Sequence, residues 1–111
     1  MRPLSVPPPS SMTNLLFCAI SCNGAEEIGV WEKFSGFVEE SQPSFILMMG
    51  DQVYLDEDAP DVYKEHFESD PEMRRKAMAE MYQSNWSREP LRTIFANTPT
   101  YMVWDDHDIR D

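Results

Sequence analysis

The stretch FILMMGDQVY, residues 45–54, decides the fold class. Its first half is an unbroken apolar run of strand length. Gly50 then lets the backbone turn sharply, and Asp51 carries a carboxylate beyond the turn. A strand with no polar alternation belongs in a parallel sheet. Working backwards, Ser41-Gln42-Pro43 ends an amphipathic helix. In it Val30, Trp31, Phe34, Phe37 and Val38 recur near i, i+4, i+7 and i+8, with Glu32, Lys33, Glu39 and Glu40 between them. Residues 14–22, NLLFCAISC, form another nearly continuous apolar run, bounded by Asn23-Gly24, and read as a strand buried on both faces. Strand, helix and strand within about 35 residues make a βαβ unit, expected to be right-handed.

Forward of the opening stretch, residues 55–99 read as a mostly helical insertion. Residues 61–69 suggest one short helix, and Pro71 fits the first turn of a longer one with Glu72 and Lys76 paired at i, i+4. Met73, Ala77, Met81 and Tyr82 give that helix an apolar stripe suited to core packing. Ser87, Glu89 and Pro90 restart a helix into Leu91, Ile94 and Phe95, and Asn97-Thr98-Pro99 leads out of it. Residues 100–104, TYMVW, are a third strand candidate. The fold class is therefore α/β: β-α-β, a helical insertion and a further strand.

Composition bounds the function. The chain has 111 residues, is 41% hydrophobic and 12% aromatic, and contains no apolar run of bilayer-spanning length, about 18 residues or more. Its net charge of −11 opposes binding of nucleic acid or anionic membrane through a basic surface. Residues 1–13 read as a flexible Pro/Ser-rich leader without a secretion signal, and residues 14–111 as the folded part, which favours a cytoplasmic location. Cys18 and Cys22, about 13 Å apart along a strand, cannot reach the roughly 7 Å Cα spacing of a disulfide. The acidic residues cluster at Asp51, Asp56, Glu57, Asp58 and Asp61 and again at 105–111, as a solvated surface or a cation site.

Each strand candidate ends in chemistry-bearing residues: Ser21-Cys22-Asn23, then GDQVY, then WDDHD at 104–108. Ligands of open α/β sheets gather at the carboxyl ends of strands. Tyr54 offers a phenolate, a hard anionic ligand suited to trivalent iron. In WDDHD the carboxylates repel one another unless a cation joins them. His107 suits a general acid, and a helix start capped by Asp side chains is the competing reading.

The ordered set SC, GDQVY, helical spacer and PTYMVWDDHDIRD resembles the metallophosphatase domain of PhoD-like alkaline phosphatases, within the calcineurin-like phosphoesterase superfamily. The resemblance runs from Asn14 to Asp111, and GDQVY and WDDHDIRD are its most specific parts. It implies the amino-terminal part of a metallophosphatase-type β-sandwich flanked by helices, with a dinuclear or multinuclear metal centre, Fe3+ and Ca2+ by analogy, that hydrolyses phosphomonoesters or phosphodiesters. By the same resemblance Asp51 bridges two metals, and Tyr54, Cys22 and Asp106 are further ligands. His107 is the catalytic histidine, Asp108 the carboxylate that orients it, and Asp105 has no assigned role. The family's later metal-binding histidines have no counterpart, since the histidines are His66, read as a surface residue, and His107. The chain is thus expected to be a fragment that lacks the carboxyl-terminal half of its domain and has little catalysis alone. The rival expectation is a non-catalytic cation-binding or interaction module.

Overall fold

A computed structural model of the chain describes residues 14–24, 28–55, 61 and 69–109. The elements run β1 (Phe17–Ile20), α1 (Ile28–Ser41), β2 (Phe45–Met49), α2 (Pro71–Trp86), α3 (Leu91–Asn97), β3 (Thr100–Val103) and α4 (Asp106–Ile109). The strands form one parallel sheet in the order β1-β2-β3. The α/β reading therefore holds, with β-α-β, helices in place of a direct connection, and a further strand. His66 and most of the short helix expected over 61–69 lie outside the described residues.

Alternation sorts the strands into two faces. Cys18, Ile46 and Met48 point to one side and meet Trp31 and Val38 of α1 and Leu91 and Ile94 of α3 in the main core. Ile46 is fully buried, which contributes about 1.5–3 kcal/mol. The other side carries Phe17, Phe45, Leu47, Met49, Tyr101 and Val103. Phe17 stacks on Phe45 at 5.1 Å and Tyr101 meets Phe45 edge-on at 5.8 Å, yet Phe17, Met49, Tyr101 and Val103 are exposed. The expectation that the first strand is buried on both faces is thus corrected: among the described residues no layer covers its odd-numbered side.

The helix α1 spans Ile28–Ser41 and stops before Gln42-Pro43, as the sequence pattern predicts for its end. Its buried line is Trp31 and Val38, flanked by Phe34. Val30 and Phe37, seven apart on the stripe's edge, are exposed, so the apolar stripe is wider than the surface it covers. At the start of α2, Asp70 caps the helix by accepting from Glu72 and Met73 N–H, with Pro71 in the first turn. Glu72 pairs with Arg75 at 2.9 Å, three residues on, rather than with the expected Lys76. The stripe of α2 packs as expected, and what it covers is informative. Ala77, with Met73, Met78, Met81 and Tyr82, closes over Val53 and Leu55. The insertion thus anchors the loop that follows β2.

Candidate metal centre

The strand ends remain joined beyond the sheet. Cys22 N–H donates to Gly50 O at 3.2 Å and Asn23 N–H to Asp51 O at 2.8 Å. This path takes Gly50 to φ 102°, and a side chain at residue 50 would put its Cβ 2.5 Å from Asp105 Cβ, so glycine alone allows the two strand ends to touch. Cys22 and Asp51 are also left-handed, at φ 61° and 54°. Such residues cost about 1–3 kcal/mol each and concentrate where function demands the geometry.

Asp51, Asp106 and His107 offer one ligand atom each, all within 4.8 Å of one another. Asp51 is buried, and its Oδ1 has no hydrogen-bond partner among the described residues. A buried, unsatisfied carboxylate oxygen facing a second carboxylate and an imidazole fits a hard cation, which would satisfy the oxygen and cancel the repulsion. Cys22 lies at the rim, exposed, with Sγ 3.6 Å from Asp51 Oδ2. The Tyr54 and His107 rings pack together at a 34° tilt with centroids 4.4 Å apart. A cleft of about 440 Å³ opens here, lined by Cys22, Asp51 and Tyr54 together with Trp31 and Phe34.

Asp108 points elsewhere. It is buried, and Oδ1 accepts from Gln52 N–H at 2.7 Å, Val53 N–H at 3.2 Å and the Tyr82 hydroxyl at 2.9 Å. Its Oδ2 accepts from Asp51 N–H at 2.8 Å and Asp105 N–H at 3.0 Å. A carboxylate has about four lone-pair positions, so these donors fill it. The side chain matched by resemblance to the partner of His107 is therefore fastened to the backbone of the 51–53 loop. Asp105 acquires a role too: its Oδ1 accepts from the Asp106 N–H at 3.0 Å at the start of α4, as the helix-start reading of WDDHD expects, and the same turn carries Asp106 and His107 of the cluster.

Tyr82 gives this arrangement a signature. Burial, then its hydrogen bond to Asp108, then the Asp108 charge hold the phenol above its ordinary titration range. The folded state keeps this proton more tightly than an unfolded tyrosine, whose pKa is about 10, so the linked stability is complete below pH ~10 and lost as pH rises above it. Urea unfolding is expected to show wild type losing more stability than Tyr82→Phe between pH 8 and 11. Equal losses would refute the contact. At pH 8 the variant should be less stable by about 1.5–3 kcal/mol, for a hydrogen bond to a charged group.

Sequence reading placed Asn23 among the strand-end polar residues but missed its buried network, Asn85 and the role of Tyr82. Asn23 looked like a turn residue beside Gly24, and Tyr82 like one more member of a helical stripe; a buried partner leaves no local pattern.

The fold and site together define an α/β protein whose parallel strand ends bring Asp51, Asp106 and His107 together at one sheet edge. A profile of the PhoD-like phosphatase family matches residues 17–111, and the chain belongs to that family. No curated protein and no solved structure matches it at a significant level.

Proposed function

We propose that this chain carries the first half of the active site of a metal-dependent phosphatase acting on phosphomonoesters or phosphodiesters. The observation that supports it best is the Asp51, Asp106 and His107 cluster, with its unsatisfied buried oxygen, in a chain of phosphatase family. Asp51 would bind at the centre of the site, Asp106 from the third strand end, and Cys22 and Tyr54 from the rim, a donor set of thiolate, phenolate and carboxylates that suits Fe3+ alongside Ca2+. Bound there, the metal centre supplies an activated water and neutralises charge on the phosphoryl oxygens. His107, held against the Tyr54 ring, would protonate the leaving oxygen. Among the described residues the cluster offers fewer ligands than a dinuclear centre requires, and no layer covers one sheet face. The reading therefore assigns the remaining ligands and the missing layer to further polypeptide, the carboxyl-terminal half of the domain.

The test is hydrolysis of an aryl phosphate with Fe3+ and Ca2+, by this chain and by the product of the complete reading frame that encodes it. Turnover is expected in the latter, abolished by Asp51→Ala and reduced about 10²–10⁴-fold by His107→Ala, as for loss of a general acid. Turnover by the chain alone that depends on Asp51 would show that the further half is dispensable. Metal binding with no turnover in either protein would favour a non-catalytic cation module.

A further inference from the structure

We propose that Asn23 is a positioning residue that locks the two loops bearing Cys22 and Asp51 into one unit and couples them to α2. The proposal rests on the cation site described above. Asn23 is buried, and each polar atom of its side chain is used. Its Oδ1 accepts from Trp31 Nε1, while Nδ2 donates to Gln52 O at 3.0 Å and to Asn85 Oδ1 at 2.9 Å. Only one amide orientation satisfies this set, because the oxygen must face the indole donor and the nitrogen the two acceptors. The side chain therefore spans four segments: its own strand end, α1 through Trp31, the Asp51 loop through Gln52, and α2 through Asn85.

The position of Asn23 gives the network its consequence. It follows Cys22 directly, and its Gln52 contact follows Asp51 directly. Both neighbours are left-handed, so neither loop rests in a broad conformational minimum. The backbone bonds from Cys22 and Asn23 to Gly50 and Asp51 hold the strand ends in line, and the buried amide fixes their separation. Groups that orient metal ligands in this way typically change affinity about 10–100-fold when lost. Trp31 and Asn85 each make one hydrogen bond to this amide.

Two measurements on the whole chain test this. In the metal-free protein, amide hydrogen exchange of Asn23→Leu is expected to accelerate at least about tenfold at residues 22 and 23, with Ile46 in the core unchanged, because local opening differs from global unfolding. Uniform acceleration would make Asn23 an ordinary stability residue and overturn the proposal. Calorimetric titration with Mn2+ is expected to give about 10–100-fold weaker binding for Asn23→Leu. Equal affinity in Asn23→Leu and wild type would overturn it too. If wild type binds no Mn2+, the cation reading fails by itself and the exchange pattern decides the role of Asn23. Should Asn23→Leu not fold, Asn85→Ala, which removes one acceptor from the same amide, is expected to show the same local exchange pattern, and its absence would overturn the proposal.

Discussion

Replacing Asp108 with leucine is expected to destabilise the chain by about 3–5 kcal/mol, the loss seen when one partner of a buried charged network is removed. The size follows from what is stranded. The N–H groups of Asp51, Gln52, Val53 and Asp105 and the Tyr82 hydroxyl all point at this carboxylate. Leucine fills the space but accepts nothing, and each buried donor left unpaired costs about 1–3 kcal/mol before the loop relaxes. Since small domains are stable by only about 5–15 kcal/mol, the loss approaches the whole margin. Asp108→Asn keeps one oxygen and turns an NH2 group toward backbone donors, so an intermediate loss is expected. Urea unfolding at pH 7 measures both. A change below about 1 kcal/mol in Asp108→Leu would mean that the carboxylate does not hold the 51–53 loop.

The second large effect is on metal binding. Asp51→Asn is a clean substitution, because asparagine tolerates the left-handed backbone at this position, and its backbone hydrogen bonds do not involve the side chain. The variant removes the carboxylate proposed as the central anionic ligand while Asp108 keeps the loop in place. Asp51→Asn combined with Asp106→Asn is expected to weaken cation binding at least about 100-fold, since lost outer partners alone cost 10–100-fold. The metal-free double variant should be as stable as wild type or slightly more so, because two facing carboxylates repel when no cation lies between them. That opposition of signs, better folding with poorer binding, separates a ligand from a structural residue.

The parts of the fold that sequence exposes are those with local periodicity. FILMM, TYMV and the Trp31 to Val38 stripe each carry their own pattern, and each became the expected strand or helix. The apolar run at 14–22 shows that strands exist but not which face is covered, because an uncovered face keeps the same residues. Pairing choices such as Glu72 with Arg75 depend on rotamers that spacing does not determine. At the site, residue types revealed Asp51, Asp106 and His107, which the structure brings together. They did not reveal that Asp108 turns inward, since adjacent residues of a helical turn project about 100° apart and only the tertiary packing chooses which is buried. The network centred on Asn23 joins residues up to 62 positions apart and leaves no trace in any short window.

Calorimetric titration of this chain with Mn2+, in wild type and in the Asp51→Asn, Asp106→Asn double variant, tests the central claim most directly. A saturable site in wild type that weakens at least about 100-fold in the folded double variant is the expected result. Unchanged affinity in the double variant, or no binding to wild type, would contradict a cation site at these strand ends.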